Sequence, residues 1–243
     1  MAGEDGVAGE DGRAERQAAS TQVFVEDLGA PALEEADRHH LTRVLRLRSG
    51  ESVVAADGRG GWRLCRYADG GLAPHHEIHH EERPEPALTV AFAPTKGDRP
   101  EWTVQKLAEL GIDTISPLHS ARSVVRWEGD RGTRQVARLQ EVAVQAARQS
   151  RRLWRPVVTP VTTFADLVAA RPGDLVLSVA GGAPPSLGRP VVLVGPEGGW
   201  GPDELRAGLP IMGLGSGVLR AETASVTAAA VLTALRAGLV RPV

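Results

Sequence analysis

The sequence predicts an α/β protein in which a small β-rich module precedes a larger part built on a parallel sheet. In residues 87–243, short apolar runs alternate with helical patterns, which is typical of a parallel sheet with helices between its strands. Residues 21–86 instead show short strand patterns around a single helical pattern. Residues 83–86 hold two prolines, which block helix and stiffen the chain, so this stretch is predicted to be the linker.

In the first module a helix is predicted over residues 34–47, where apolar residues recur at helical spacing. Strands are predicted over 51–56 and 62–67. The Asp-Gly pair and the neighbouring glycines at 57–61 favour a tight turn between them. These two strands should therefore form an antiparallel hairpin.

The second part begins with a strand and a helix that has Pro100 near its start and Gly111 just past its end. The predicted strands are residues 88–93, 112–115, 175–179, 191–194 and 211–214. The predicted helices are residues 100–110, 133–150 and 223–237. The order of these elements favours parallel pairing of the strands.

Composition narrows the class of protein. Hydrophobic residues make up 42% of the chain, enough to bury a sizeable core. The single cysteine, Cys65, excludes an internal disulfide framework and fits a reducing cytosol. No apolar run approaches the ~18 residues of a membrane span, and residues 1–20 are predicted to be a disordered tail without the apolar core of a signal peptide. We expect a globular cytoplasmic protein with no membrane partner.

Arginines are unevenly distributed along a chain whose formal net charge is −2. Residues 120–156 hold nine arginines against three acidic residues, whereas acidic residues dominate residues 1–86. An arginine-rich segment in an acidic protein favours contact with a phosphate backbone, although a solvated helix face would have the same composition.

Two glycine-rich segments, 193–200 and 213–224, follow predicted strands and lead towards helices. Both should lie at the carboxyl ends of strands, where open α/β sheets bind ligands. The first lacks the lysine of a phosphate loop and holds Glu197, which would repel a phosphate. The second has alternating glycines, but only 26 residues follow Gly217, too few for a dinucleotide-binding unit. A nucleoside without phosphates suits these loops better.

Together with other segments, these loops resemble the SPOUT class of S-adenosyl-L-methionine methyltransferases. The similarity is to the family that methylates N3 of uridine 1498 in bacterial 16S ribosomal RNA, and it runs from about Val23 to Val240. Segments that carry it in order and spacing are 39–48, 57–60, 96–98, 105–111, 122–123 and 149–152. One stretch departs: Arg148-Gln-Ser-Arg-Arg152 stands where the family commonly has Glu-Gln-Ser-Gly-Arg.

The resemblance implies a SPOUT-type parallel sheet with a deep trefoil knot, preceded by a PUA-like RNA-binding barrel. It implies S-adenosyl-L-methionine as cofactor, 16S ribosomal RNA in the small ribosomal subunit as partner, and a homodimer whose two domains complete each other's active sites. The candidate cofactor residues are Leu193, Val194, Gly195, Pro196, Glu197, Gly198, Gly199, Leu214, Gly215, Ser216, Val218, Leu219, Arg220 and Thr223. The candidate RNA contacts are His39, His40, Arg43, Arg46, Arg48, Lys96, Arg122, Arg148, Arg151 and Arg152.

Three side chains are candidate catalytic residues, because loss of the proton on uracil N3 leaves an anion. The permanently charged, planar guanidinium of Arg220 could stabilise that anion. Glu222 or Glu197 could accept the proton if partly desolvated. Glu222 could equally cap the exposed amides at the start of the last helix.

The same residues leave other functions open. Four histidines lie within residues 75–80, but in a strand they would alternate between two faces with no cysteine nearby, so no metal site is predicted. The alternatives are a non-catalytic rRNA-binding or ribosome-assembly factor, and a SPOUT methyltransferase that acts on tRNA or on a ribose 2′-hydroxyl. Both glycine loops and Arg220 favour an enzyme over a pure binder. Only the match outside the C-terminal loops favours the rRNA family over other SPOUT enzymes.

Overall fold

The computed structural model describes residues 10–241, which fall into two compact units. The first unit runs to Arg83 and also includes Ala147–Arg155, and the second comprises Pro84–Ala146 and Pro156–Val243. The division lies inside the predicted linker. The return of Ala147–Arg155 to the first unit was not anticipated, because contacts between segments distant in sequence leave no local pattern.

The first unit is built on a five-stranded sheet. Its strands are β1 (Thr21–Phe24), β2 (Ser52–Ala56), β3 (Gly61–Ala68), β4 (Gly71–Pro74) and β5 (His79–His80). β1 pairs with β2 in parallel, whereas β2 and β3 form the predicted antiparallel hairpin. Both β4 and β5 pair with β3 in antiparallel fashion. Closure of this sheet into a barrel stays a prediction.

A helix lies where the sequence predicted disorder. α1 (Glu10–Ala18) contradicts that prediction for residues 10–18, while residues 1–9 lie outside the described residues. The helix is polar and gives no sequence signal of burial. Its position is stabilised by tertiary contacts: the Arg16 guanidinium lies over the ring of the buried Trp62 and pairs with Glu81 at 3.3 Å.

The predicted helix 34–47 ends earlier than expected. α2 (Glu35–His39) continues as a π-helical segment over His40–Val44. Arg46 then adopts a left-handed backbone conformation, with φ of 54°, which cannot continue a helix. The basic side chains of this segment are consequently displayed on a short, irregular stretch of chain.

The second unit contains a parallel sheet, which confirms the α/β prediction. Its strands are β6 (Thr89–Phe92), β7 (Thr114–His119), β8 (Val157–Val158), β9 (Thr162–Thr163), β10 (Leu175–Ala183), β11 (Val191–Val194) and β12 (Ile211–Met212). The order across the sheet is β12-β10-β11-β6-β7-β8, and β9 lies alongside β7. Every one of these pairings is parallel.

Five helices accompany this sheet. They are α3 (Arg99–Leu110), α4 (Gly129–Gln149), α5 (Phe164–Ala170), α6 (Pro202–Leu205) and α7 (Ala221–Arg236). Helices α3, α4 and α7 were predicted with slightly different ends, while α5 and α6 are too short to give a helical period. In residues 10–241, no helix is long and apolar enough to cross a membrane.

Both faces of the parallel sheet are covered, as β11 shows. Val192 and Val194 belong to the core cluster that includes residues of α3 and α7. Val191 and Leu193 belong to a second cluster, on the other face, that includes Trp200. Burial on both faces explains why β11 reads as an uninterrupted apolar run.

Candidate cofactor cavity and active site

The carboxyl ends of β10, β11 and β12 lie side by side, because these strands are parallel neighbours. The loops that leave them meet at one edge of the sheet and, with the start of α7, surround a cavity of about 340 Å³. A cavity of this size lies within the range of small-molecule sites. The two glycine-rich segments singled out in the sequence form much of its wall.

Most of the predicted cofactor residues line this cavity. They are Val194, Gly195, Pro196, Glu197, Gly199, Leu214, Gly215, Val218 and Leu219. Leu193 lies beneath the loop in the core, and the carbonyl of Gly198 accepts a hydrogen bond of 2.9 Å from Arg122 Nη1. Ser216, Arg220 and Thr223 flank the wall with exposed side chains.

A third segment of the cavity wall was missed in the sequence. Ser178, Val179 and Ala180, in the part of β10 where the pairing with β12 is irregular, also line the cavity. The predicted strand ended at Val179, and the Ala-Gly-Gly stretch that follows an apolar run there has the same pattern as the other two loops. This repeated pattern was the signal in the sequence that could have identified the third segment.

Trp200 fixes the first glycine loop against β10. Its indole Nε1 donates a hydrogen bond of 3.1 Å to the carbonyl of Ser178. A Cβ on Gly195 would lie 3.0 Å from the indole ring, so the absence of a side chain at residue 195 lets the loop close over it. Trp200 is itself buried and lines the cavity, which makes it part of the wall.

Glu204, in α6, joins this loop to the one after β7. Its buried carboxylate accepts hydrogen bonds from the backbone N–H of Ala121 at 2.8 Å and of Gly201 at 2.6 Å. Hydrogen bonds to a charged acceptor are among the stronger ones in proteins. Arg122, which follows Ala121 and was predicted to contact RNA, is thereby held at the cavity wall.

The cavity suits the adenosine part of S-adenosyl-L-methionine. Apart from Arg122, Ser178 and Glu197, the lining side chains are apolar or absent. Cβ atoms on Gly215 or Gly217 would meet no atom within 4 Å, so side chains there would occupy space at the wall that a ligand can use.

The three candidate catalytic residues lie around the start of α7 and in the first glycine loop. Arg220 is the N-cap residue of α7, its side chain is exposed, and within residues 10–241 its guanidinium makes no ion pair. Glu222, in the first turn of α7, has only 13% of its side chain exposed. The N-cap residue Arg220 makes no side-chain capping hydrogen bond, and Glu222 lies in the first turn, where a carboxylate interacts favourably with the exposed amides.

Arg99 connects the two candidate acids and was not singled out in the sequence. Its Nη1 lies 3.3 Å from Oε1 of Glu197, and its Nε lies 3.7 Å from Oε1 of Glu222. Arg99 opens α3, directly after the Lys-Gly-Asp segment that contributes to the family resemblance.

The candidate RNA contacts divide into two groups. His39, His40, Arg43, Arg46, Arg48 and Lys96 are exposed. Arg148 instead forms a bidentate pair with the buried Asp37, with Nη1–Oδ1 at 2.5 Å and Nη2–Oδ2 at 3.1 Å. Arg151 donates to the carbonyls of Arg16 and Ala19. The side chain of Gln22 donates to the carbonyl of Arg152 at 2.7 Å, so this segment is folded into the first unit.

The histidine-rich run 75–80 is a strand only over His79–His80, so the strand expected there is shorter than predicted. The His79 ring packs on Trp62 and the His80 ring on Trp154. Across the described residues 10–241, no three His, Cys, Asp or Glu side chains form a group that could hold a metal ion.

The fold and the cavity define a class of protein, and comparison with known proteins identifies it. A model of the RNA methyltransferase domain matches residues 81–233, and a model of the RNA methyltransferase PUA domain matches residues 33–71. The chain is therefore an RNA methyltransferase with a PUA domain.

Individual relatives identify the family. A ribosomal RNA small subunit methyltransferase E from Mycobacterium bovis is 35% identical over 224 residues, which cover 83% of this chain and 86% of the relative. The protein of that name from Synechocystis is 32% identical, covering 82% and 71%. A structure of the Neisseria gonorrhoeae protein of that name, bound to S-adenosyl methionine, has a TM-score of 0.74 at 28% identity and covers 88% of this chain and 97% of that one. This chain belongs to the ribosomal RNA small subunit methyltransferase E family, which confirms the resemblance found in the sequence.

Proposed function

We propose that this protein transfers the methyl group of S-adenosyl-L-methionine to N3 of uridine 1498 in the 16S RNA of the small ribosomal subunit. The observation that carries the proposal is the cavity at the ends of β10, β11 and β12, which suits a nucleoside without phosphates. Family membership and the cofactor-bound Neisseria gonorrhoeae relative support the choice of cofactor. The base and the atom follow from the family resemblance.

When bound, S-adenosyl-L-methionine supplies an activated methyl group on a positively charged sulfur. The chain's own residues then have three tasks: to hold the two partners close, to exclude water, and to manage the uracil proton. The three segments of the cavity wall perform the first task. Arg220 stabilises negative charge on the uracil, and Glu222 or Glu197 accepts the N3 proton.

RNA binding is assigned first to the exposed basic residues. His39, His40, Arg43, Arg46 and Arg48 lie on the irregular stretch around α2, within the part matched by the PUA domain model. Each phosphate that such a residue neutralises releases counterions, so binding should weaken as salt rises. Arg148, Arg151 and Arg152 in the first unit and Lys96 and Arg122 in the second are further proposed RNA contacts. Basic residues in both units favour the assembled subunit, in the cytoplasm, over a short oligonucleotide.

We also propose that the protein acts as a homodimer. Val218, which is 96% exposed, and Leu219 are apolar side chains at the cavity wall, and exposed apolar patches mark association sites. A second copy would cover them and complete the site. Light scattering at micromolar concentration tests this, and a fully active monomer would contradict it.

The deep trefoil knot is proposed on the family resemblance alone. A crystal structure whose chain path reduces to an unknotted line would contradict the knot.

Nucleoside mass spectrometry tests the function directly. The 16S RNA of a strain that lacks the gene should lack 3-methyluridine at position 1498, and the purified protein with S-adenosyl-L-methionine should restore it on small subunits from that strain. A product methylated on ribose or in tRNA would support the other SPOUT activities. Unchanged rRNA together with RNA binding would support a non-catalytic factor.

A further inference from the structure

Arg99 holds two acids from different parts of the second unit. Glu197 belongs to the loop after β11 and lines the cavity, and Glu222 belongs to the first turn of α7. Two different nitrogens of one guanidinium make the contacts, Nη1 at 3.3 Å and Nε at 3.7 Å. One cation thus balances both acids that are candidates to accept the uracil proton.

The two acids differ in their surroundings. Half of the Glu197 side chain is exposed, so water can solvate its carboxylate. Glu222 is only 13% exposed, and its Oε2 is buried without a hydrogen-bond partner among the described residues. A buried carboxylate oxygen with no donor is costly. Ala221 and Ala224 of the same helix turn line the neighbouring cavity, so a substrate group brought beside the bound cofactor can supply the donor.

We infer that Arg99 is a positioning residue for methyl transfer that acts through Glu222 rather than through Glu197. Arg99 holds Oε1 of Glu222, which leaves Oε2 to accept the N3 proton of the target uracil. In this step the N3–H bond breaks, an O–H bond forms on Oε2, and the electron pair stays on N3. The inference rests on the proposed function and selects Glu222 from its two candidate acids.

The chemistry of arginine explains why an arginine at position 99 suits this role. A guanidinium is planar and carries donors that point in several directions, so it can hold two carboxylates with different nitrogens. Lysine has a single nitrogen on a flexible stem and cannot reproduce this arrangement. Arg99→Lys should therefore restore charge but only part of the positioning.

The first test compares Arg99→Ala with Arg171→Ala. Arg171 is a fair control, because it also pairs with an acid at 3.3 Å, is similarly exposed, and lies outside the cavity. Single-turnover methylation of small subunits should slow about 10²-fold in Arg99→Ala, as expected for a displaced reacting group, with Arg99→Lys in between. Arg171→Ala should match the wild type. Affinity for S-adenosyl-L-methionine by calorimetry, and the unfolding temperature, should stay close to wild type in all three variants.

A double-mutant cycle identifies the acid. Combined with Glu222→Gln, the Arg99→Ala change should slow the reaction little further, whereas with Glu197→Gln the two effects should multiply. If Arg99→Ala does not fold, the same cycle with Arg99→Lys replaces it.

Two results would overturn the inference: a wild-type rate in Arg99→Ala, or coupling to Glu197 alone. Both leave the proposed function standing, since that function fails only if the wild-type protein methylates no rRNA.

Discussion

The cavity wall and the arginine segment 148–152 were both singled out in the sequence, and they differ in how their residues are used. The glycine loops line a cavity where a ligand was expected. Arg148 and Arg151, expected to contact RNA, instead bind a carboxylate and two carbonyls of the first unit. A glycine pattern indicates where the backbone must turn or approach a ligand. An arginine indicates only that its guanidinium will bind an anion or a carbonyl, which can belong to a partner or to the same chain.

The departures from the family pattern occur in the arginine segment. Arg148, at a position where the family commonly has glutamate, meets the buried Asp37. Arg151, at a position where the family commonly has glycine, has φ of 57°, in the left-handed region that favours glycine. Its donated hydrogen bonds to the carbonyls of Arg16 and Ala19 offset that strain. This segment therefore serves the packing of the first unit, whatever it adds to RNA binding.

The largest expected effect lies at the cavity. Arg220→Ala should slow methyl transfer by roughly 10²-fold or more, the loss expected when one charge-stabilising donor is removed, with little change in cofactor affinity. Arg220→Lys should rescue poorly, because a point charge does not replace a planar pair of donors. Single-turnover kinetics measures the rate of methyl transfer, and calorimetry measures the cofactor affinity. Arg206→Ala is the control, because Arg206 is an exposed arginine paired with Asp203. A normal rate would remove Arg220 from the chemistry, and a collapse in affinity would assign it to the cofactor.

The arginine segment should respond in stability. Arg148→Ala leaves Asp37, with 7% of its side chain exposed, without its bidentate partner. The free energy of unfolding should fall by about 2 kcal/mol, less than for a fully buried pair because Arg148 is partly exposed. Arg134→Ala, an exposed arginine of α4, should change it by less than about 0.5 kcal/mol. Equal free energies of unfolding for Arg148→Ala and Arg134→Ala, measured in urea, would show that the Arg148–Asp37 pair contributes nothing to stability.

Substitutions at two glycines distinguish the loss of space for a ligand from the introduction of backbone strain. Gly217 lines the cavity in open space without a left-handed backbone, so Gly217→Ala should weaken cofactor binding about tenfold, or about 1.4 kcal/mol, with stability unchanged. Gly208 has φ of 73° and lies outside the cavity. Gly208→Ala should show the reverse, a loss of about 1 kcal/mol in stability with normal binding. Calorimetry and thermal unfolding of both variants measure the contrast, and a stable Gly217→Ala with normal affinity would remove Gly217 from the binding wall.

The smallest expected effect concerns His119, at the start of the loop that carries Arg122. Its Nε2 accepts a hydrogen bond of 3.0 Å from the backbone N–H of Trp127, and burial, with help from Arg126, lowers the pKa of its imidazole. Because the unfolded chain then takes up a proton first, the free energy of unfolding should fall as the pH drops below about 6.5. In His119→Gln, whose amide can still accept the bond, this fall should be smaller. The free energy of unfolding in urea, measured at pH 7 and pH 5 for both proteins, gives the comparison. An equal decrease in the two proteins would exclude His119 as the source of the pH dependence.

Much of the second unit could be predicted because its signals are local. β11 is an apolar run bounded by turn residues, and α3 has its proline and its glycine at the expected ends. α1 could not be predicted, because a polar helix is stabilised by what it packs against, here Trp62 and Glu81. The lining segment of β10, residues 178–180, became part of the cavity only through the order of the strands in the sheet.

By itself, the sequence determined the α/β class, the alternation of strands and helices, and the two glycine loops, because each depends on residues close together along the chain. Only the tertiary structure decided which charged groups meet. Arg99 pairs with Glu197 and Glu222, and Arg148 pairs with Asp37. Glu204 accepts a hydrogen bond from the loop after β7. The physical reason is that a charged side chain bonds with whichever opposite charge or carbonyl the fold brings within about 3–4 Å, and sequence separation carries no record of that distance.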